Sequence, residues 1–290
     1  MGSVWPVNGT EIRVWEWGEA GDPAVLCVHG AFDHGRMWDG LAPRIVELGY
    51  RVLAIDGRGH GDSGRLPHGM SFRAGVLDLG CLLHELGPPV GLIGHSMGGG
   101  QVLSAAAAWP EEVAWVINID GLGPPDDFPE ESLGHAALTS VTHAEKVMRR
   151  GARPFATPGE MAAQRGAINT RLPKPWLDHL VEHGSTSIAE KGLRWKWDPL
   201  FNVGMPSGFS PEVATADFAR VTAPTLVLTG GEEDMWSEME DAEVAARMRL
   251  FPDAEHHAIP GAGHYLHLEQ PDLTMDHITE FLNRRETRRR

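Results

Sequence analysis

Short apolar runs recur along the first 120 residues, separated by segments with helical spacing. Four runs are mostly apolar, which predicts strands buried on both faces of a sheet. They occupy residues 24–28, 51–55, 90–93 and 113–119. Apolar side chains repeat at helical spacing in residues 36–48 and 71–86, and residues 10–17 alternate as a half-buried edge strand does. Strands that alternate with helices predict an α/β protein with a mostly parallel sheet covered on both faces.

The alternation stops after Gly121. Residues 121–217 are rich in proline and contain no strong strand candidate. Helices are predicted there at residues 145–150, 158–169 and 175–183. This segment is typical of a helical insertion placed over the sheet.

The strand pattern returns at residues 224–230, and a second short strand is predicted at residues 255–259. Helices are predicted near residues 237–251 and 272–283. We therefore expect a core domain formed by residues 1–120 and 218–290, with residues 121–217 as a cap or lid.

Composition restricts the function classes. The 290-residue chain is 42% hydrophobic and has a formal net charge of −15, which argues against nucleic-acid binding. It has no run long enough to span a membrane and no recognisable signal peptide. Cys27 and Cys81 lie in apolar runs, which predicts buried free thiols and a reducing compartment. We expect a cytoplasmic enzyme acting on a small molecule; oligomeric state is not indicated.

Gly94 to Gly100 is the most informative stretch. Gly94-His95-Ser96-Met97-Gly98 joins the run at residues 90–93 to a small-residue helical run. Gly-X-Ser-X-Gly between a strand and a helix is typical of a nucleophile elbow, in which a strained turn exposes the serine hydroxyl. Ser96 is therefore the predicted nucleophile.

A serine nucleophile needs a base, and the base needs an orienting acid. His264 follows the Gly261-Ala262-Gly263 turn after the last predicted strand, and Asp234 follows the strand ending near Gly230. The chain order serine, acid, histidine is the order this elbow uses. Asp120 also ends a strand and stays open as the alternative acid or as a residue lining the pocket.

An oxyanion hole should complete the site. One donor is expected to be the backbone N–H of Met97, the residue after the nucleophile. The other is expected to come from the His29-Gly30 loop, from the N–H of Ala31 or of Phe32. His95 and Trp38, which are close to these motifs in the sequence, are candidate substrate contacts.

Five motifs in this order resemble the α/β-hydrolase superfamily across nearly the whole chain. They are His29-Gly30, the Asp56 to Ser63 turn, the Gly94 to Gly98 elbow, the Gly231 to Asp234 acid loop and the Gly263-His264 loop. The resemblance implies an eight-stranded α/β-hydrolase fold with a helical cap. Epoxide hydrolases and haloalkane dehalogenases of similar outline have an aspartate nucleophile, so Ser96 argues against those activities.

The resulting prediction is a serine hydrolase, most simply a carboxylesterase, which cleaves a small to medium, apolar ester through an acyl-serine. Three alternatives stay open: acyl transfer or perhydrolysis, carbon–carbon bond hydrolysis, and a ligand receptor with very slow turnover. We recognise no H-E-x-x-H or similar metal-ligand spacing among the fifteen histidines, so no metal and no cofactor are expected.

Overall fold

A computed structural model describes most of the chain. The described residues are 2–65, 71–128, 132–151, 153–189, 191–201, 210–236 and 239–289.

Eight strands form one sheet in the order β1-β2-β4-β3-β5-β6-β9-β10. Their bounds are β1 Gly2–Val7, β2 Thr10–Trp17, β3 Ala24–Val28, β4 Arg51–Asp56, β5 Val90–His95, β6 Val113–Ile119, β9 Thr225–Gly230 and β10 Ala254–Ile259. The pairs β1–β2 and β2–β4 are antiparallel, and the other pairs are parallel. The predicted α/β class with an eight-stranded, mostly parallel sheet is confirmed.

The edge of the sheet differs from the prediction. Thr10–Trp17 was expected to be an edge strand, but it lies between β4 and the N-terminal strand Gly2–Val7. The N-terminal segment carries Pro6 and does not alternate regularly, so its pattern gave no strand signal. Proline is tolerated there because an edge strand leaves half of its N–H groups unpaired.

Helices cover both faces of this sheet, and the side chains of each strand alternate between two cores. On β3, Leu26 and Val28 belong to one core, and Val25 and Cys27 belong to the other. The helices and their bounds are α1 Ala42–Val46, α2 Phe72–Leu86, α3 Met97–Ala108, α4 Leu133–Arg150, α5 Pro158–Ile168, α6 Lys174–Gly184, α7 Pro211–Phe218, α8 Asp241–Met248, α9 Leu266–Glu269 and α10 Pro271–Arg289.

The helix expected at residues 36–48 is divided in two. A 3₁₀ helix, Gly35–Gly40, precedes α1, which has Pro43 in its first turn. Proline suits a first turn because it has no N–H to donate, and it breaks a helix that would otherwise continue through it. The start expected near residue 237 for α8 lies outside the described residues, and α8 itself begins at Asp241.

The described residues between β6 and α7 include α4, α5 and α6, which overlap the three predicted helices, and also a two-stranded sheet; α4 begins twelve residues earlier than predicted. In that sheet β7, Ser185–Ile188, pairs antiparallel with β8, Gly192–Trp195. The sequence showed no strong strand candidate here, so these two strands were missed. A strand of four residues is too short to give a clear periodic pattern. The boundary expected at residue 217 falls inside α7, whose Ala214 and Phe218 pack in the core of the main sheet.

Two further expectations concern the environment of the chain. Within the described residues, no helix combines the length and the apolar character that crossing a bilayer requires. Both cysteines are free thiols, and Cys27 is buried as expected. Cys81 is exposed, so its predicted burial is wrong: it lies on the outer side of the amphipathic helix α2.

Candidate active site

Ser96 occupies a strained turn between β5 and α3. Its φ angle is +54°, a conformation that residues other than glycine rarely adopt. The glycines on either side permit this turn: a Cβ atom on Gly94 would collide with the carbonyl of Gly98, and one on Gly98 would collide with the carbonyl of Val28. Because α3 begins at Met97, its first N–H groups, which have no partner within the helix, lie next to the serine.

His264 is held by Asp120. Nδ1 of His264 lies 2.6 Å from Oδ2 of Asp120, and both side chains are largely buried, at 8% and 10% exposed. An ionised carboxylate only accepts hydrogen bonds, so Nδ1 is the donor and Nε2 is the ring nitrogen that can take up a proton. Ser96, Asp120 and His264 all line one cavity.

Asp234 is placed differently from the sequence prediction. Its Oδ2 accepts from the backbone N–H of His264 at 3.4 Å, and its Oδ1 accepts from the backbone N–H of Trp236 at 3.2 Å. It therefore contacts the histidine loop through the main chain. The imidazole hydrogen bond expected for Asp234 is made by Asp120, the alternative acid.

The turn that presents Asp120 is stabilised by the side chain of Asn118. Its Nδ2 donates to the carbonyl of Gly121, and its Oδ1 accepts from the N–H of Gly121, both at 3.0 Å. Asp120 has a φ of +48°, and a Cβ atom on Gly121 would lie 2.5 Å from the carbonyl oxygen of Ser96. The sequence Asn118-Ile119-Asp120-Gly121 at the end of a strand already indicated such a turn. It combines two polar residues with a glycine, and its strand β6 is the neighbour of β5, which leads into the Ser96 turn.

Glu269 stabilises the histidine loop through hydrogen bonds to its main chain. Its carboxylate accepts from the N–H groups of Gly263 and Tyr265, at 3.0 and 3.2 Å, and pairs with Arg171 at 2.9 Å. These bonds flank His264 on both sides in the sequence. Glu269 is a supporting residue that the sequence did not predict; it lies five residues after His264.

The oxyanion candidates form part of the same cavity wall. Ala31, Phe32 and Met97 all line it. The N–H of Phe32 donates to Nε2 of buried His60 at 3.2 Å, and Phe32 itself has a φ of +66°. Because this contact engages Phe32, the pair of Met97 and Ala31 N–H groups is the better candidate for an oxyanion hole.

Two candidate substrate contacts lie beneath the cavity wall instead of in it. Trp38 is fully buried and stacks on His267, with ring centroids 5.2 Å apart. His95 is also fully buried; its Nε2 lies 3.0 Å from the carbonyl oxygen of His264, and burial holds its pKa well below its usual range. The structure therefore does not support the prediction that Trp38 and His95 contact the substrate, since neither is among the residues that line the cavity. Asp120, the third candidate, does line it.

The cavity has a volume of about 400 Å³. Apolar side chains supply much of its lining. They include Leu122, Pro124, Pro125, Phe128, Phe201, Met235, Trp236, Met239 and Val244. An apolar cavity with a few convergent polar groups is typical of a small-molecule site.

Arg165, from α5 of the insertion, reaches this cavity through a buried polar cluster. It donates to Asp33 and to the phenol oxygen of Tyr265, both at 2.6 Å, and that phenol donates to Asp33 at 3.0 Å. Burial raises the pKa of Tyr265, so the phenol keeps the proton that it donates. The cluster joins the insertion to Asp33 and to Tyr265, the residue that follows His264.

The chain is similar to known proteins in both sequence and fold. Residues 25–277 match the model of the alpha/beta hydrolase family. The chain is 32% identical over 273 residues to the mouse (Mus musculus) sn-1-specific diacylglycerol lipase ABHD11, covering 91% of this chain and 82% of that protein. It is 29% identical to a putative esterase/lipase of Haemophilus influenzae, covering 90% of this chain and 84% of that protein.

Among solved structures, the chain is similar to a thioesterase domain from the curacin biosynthetic pathway. That likeness has a TM-score of 0.84 at 21% identity, and covers 98% of this chain and 99% of the other. A likeness to E-2-(acetamidomethylene)succinate hydrolase has a TM-score of 0.77 at 23% identity, with coverage of 98% and 99%. At these identities the likenesses show the fold alone.

Proposed function

The chain belongs to the alpha/beta hydrolase family, and on that basis we propose that it is a metal-independent serine carboxylesterase. The hydrogen bond between His264 and Asp120, in a cavity that Ser96 also lines, carries the proposal. The names of the mouse and Haemophilus relatives, a diacylglycerol lipase and a putative esterase/lipase, support ester bonds as the target.

The proposed reaction begins with attack of the Ser96 hydroxyl on the ester carbonyl. Nε2 of His264 takes the serine proton, and Asp120 holds the imidazole in place and stabilises its charged form. The N–H groups of Met97 and Ala31 stabilise the oxyanion, where one such donor contributes about 3–4 kcal/mol. His264 then protonates the departing alkoxide, and an acyl-serine remains.

Water completes the turnover. His264 removes a proton from a water molecule as that water attacks the acyl carbonyl, and then returns the proton to Ser96 as the acid departs. Asp234 takes no part in these transfers, because its carboxylate lies on the backbone N–H groups of His264 and Trp236.

The proposed substrate is an ester of an apolar carboxylic acid with a small or medium acyl group. The apolar lining of the cavity supports this choice, since it stabilises an acyl chain by removing it from water. Arg165 does not favour a carboxylate substrate, because its charge is already paired with Asp33. Glycerides with such acyl chains, the substrate class in the mouse relative's name, are included in the proposal.

Two measurements test the proposal. Ser96→Ala should abolish hydrolysis of p-nitrophenyl butyrate while leaving the thermal unfolding temperature near that of the native protein. A fluorophosphonate probe should label native protein and not Ser96→Ala. Unchanged turnover in the variant would refute the proposal, and native protein that resists the probe would favour a receptor over an enzyme.

A further inference from the structure

The insertion helix α6 packs closely on the 3₁₀ helix Gly35–Gly40 of the core. Nε2 of buried His34 lies 3.1 Å from the carbonyl oxygen of Leu180. A Cβ atom on Gly184 would lie 2.9 Å from the His34 ring, and one on Gly40 would lie 2.8 Å from the ring of Trp176. Contacts at both ends of α6 therefore fix its position on the 3₁₀ helix.

Three metal-ligating side chains meet at this contact, away from the catalytic cavity. They are Asp39, His179 and His183, and one ligand atom from each lies within 4.8 Å of the others. Nε2 of His179 is 3.3 Å from Oδ2 of Asp39, and the two imidazole rings have centroids 4.5 Å apart. All three side chains are partly exposed, so an ion can reach them from solvent.

The spacing of the two histidines contradicts the expectation from the sequence. His179-Leu180-Val181-Glu182-His183 has the H-x-x-E-H spacing of one class of zinc enzymes, so the view that no metal-ligand spacing occurs is wrong. Residues four apart on a helix lie on one face, which brings both imidazoles to the same side of α6. The spacing alone is weak; the carboxylate of Asp39 from another element makes it specific.

We propose that Asp39, His179 and His183 form a binding site for a divalent transition metal ion, with Zn²⁺ as the best fit. Two imidazoles and one carboxylate suit Zn²⁺, which also binds at such sites with a water molecule as its fourth ligand. Tetrahedral Zn²⁺ places its ligand atoms about 3.3–3.5 Å apart. The Asp39–His179 pair meets this distance already, and the ligand atom of His183 lies within 4.8 Å of the other two. Binding of the ion replaces the contact of His179 Nε2 with the carbonyl oxygen of Arg36, which is 2.9 Å away.

Arg36 is the competitor for this site. Its Nε lies 2.8 Å and its Nη2 2.6 Å from Oδ2 of Asp39. Its guanidinium also lies 5.0 Å from the ring centroid of Trp15, and the charge of Glu182 is close by. Because the Arg36–Asp39 pair is partly exposed and such pairs contribute little stability, the ion displaces Arg36 from Asp39 toward these other partners.

The site has a structural consequence. His179 and His183 lie on the insertion, whereas Asp39 lies on the helix that directly follows the oxyanion loop. A metal ion bound there joins the insertion to the core without entering the catalytic cavity. Zn²⁺ should therefore raise the unfolding temperature, because it binds the folded chain and not the unfolded one.

Calorimetric titration of the metal-stripped, tag-free chain with ZnCl₂ tests the site. We expect one saturable site per chain and a higher unfolding temperature at saturating Zn²⁺. His183→Gln and Asp39→Asn should each weaken the affinity by at least about tenfold. Arg36→Gln should strengthen it several-fold, because the variant removes the guanidinium that competes for Asp39.

Two controls separate this site from other histidines. His277→Ala disrupts another close pair, His257 and His277, whose rings stack at 4.3 Å, and should leave Zn²⁺ affinity unchanged. His264→Ala removes the catalytic imidazole and should also leave the affinity unchanged. Binding that persists in His183→Gln but is lost in either control would overturn the proposal, as would the absence of saturable binding.

A crystal of the native protein soaked in ZnCl₂ provides a test that does not depend on variants folding. Anomalous scattering at the zinc edge should locate an ion between Asp39, His179 and His183. An anomalous peak only at His264, or only at the His257–His277 pair, would also overturn the proposal.

Discussion

Oδ2 of Asp120 accepts a 2.6 Å hydrogen bond from Nδ1 of His264, although 144 residues separate the two in the chain. Asp120 follows β6, which is the direct neighbour of β5, the strand that ends at the serine turn. The proposed acid and the proposed nucleophile therefore follow adjacent strands at the middle of the sheet.

Replacing Asp120 should affect catalysis far more than replacing Asp234. Asp120→Asn replaces the carboxylate that fixes the tautomer of His264 with a neutral amide that can also donate, a change that lowers kcat by about 10⁴-fold in a serine triad. Asp234→Asn should cause a much smaller loss, because the hydrogen bonds that the described residues give this carboxylate come from the backbone N–H groups of His264 and Trp236. Hydrolysis of p-nitrophenyl butyrate by both variants provides the comparison. A larger loss in Asp234→Asn would show that the acid assignment is wrong.

Replacing Arg165 should destabilise the folded chain. Arg165→Met leaves buried Asp33 without its cationic partner, which costs about 3–5 kcal/mol. Adding Asp33→Asn to Arg165→Met should restore part of the lost free energy of unfolding, since the buried side chain at position 33 is then neutral. Urea unfolding of the single and the double variant measures both values. Arg153→Met is the matched control: Arg153 is 67% exposed, so the free energy of unfolding should change by less than about 1 kcal/mol. Equal losses in the two single variants would contradict the ion pair's role.

Two buried histidines should make the fold sensitive to acid. Burial lowers the pKa values of His34 and His267 to about 3, whereas an unfolded histidine has a pKa near 6.5. Between these values the unfolded chain binds protons that the folded chain does not, so the free energy of unfolding falls as the pH is lowered. At pH 5 each histidine accounts for about 2 kcal/mol of that loss.

His267→Phe isolates one of these contributions. Phenylalanine keeps an aromatic ring against Trp38 and does not titrate, and neither ring nitrogen of His267 has a hydrogen-bond partner among the described residues. Urea unfolding at pH 7 and pH 5 should show a smaller difference in the variant than in the native chain. His84→Gln, which changes a histidine that is 61% exposed, should leave the difference as it is. The same pH difference in all three proteins would contradict the prediction.

Enlarging a side chain in the cavity wall should select against long acyl chains. Val244 lies on α8 and lines the cavity, so Val244→Phe reduces the space there. We expect kcat/KM for p-nitrophenyl octanoate to fall about tenfold or more, with little change for the acetate. Val213→Phe is the matched control, since Val213 is 45% exposed on α7 and is not part of the described lining. Equal losses for both esters would mean that Val244 does not limit acyl length.

Parts of the candidate site were predictable from the sequence wherever the local backbone geometry permits only one type of residue. Gly94 and Gly98 were recognisable because no side chain fits between the elbow and its neighbours. Most of the sheet was recognisable because buried parallel strands are predominantly apolar. These features depend on a few consecutive residues, so one segment contains the whole signal.

Features that depend on distant contacts could not be derived in the same way. Asp120 and Asp234 both follow strands, and only the packing of the His264 loop places one on the imidazole and the other on the main chain. Trp38 is close to the oxyanion loop in sequence but turns into the core below it. Arg165 pairs with Asp33, which is 132 residues away in the chain, and no local sequence pattern predicts that pair.

The separation of Asp120 from the β9–α8 loop has a consequence for engineering. In that loop, Met235 and Trp236 line the cavity and are exposed, and Asp234 accepts hydrogen bonds from the backbone N–H groups of His264 and Trp236. The ring of Trp236 lies 6.3 Å from the ring of His264, centroid to centroid, so Met235 is the residue to vary. A library confined to position 235 changes the exposed cavity wall and the range of esters that it accommodates, while the proposed proton-transfer groups stay on their own strands and loops.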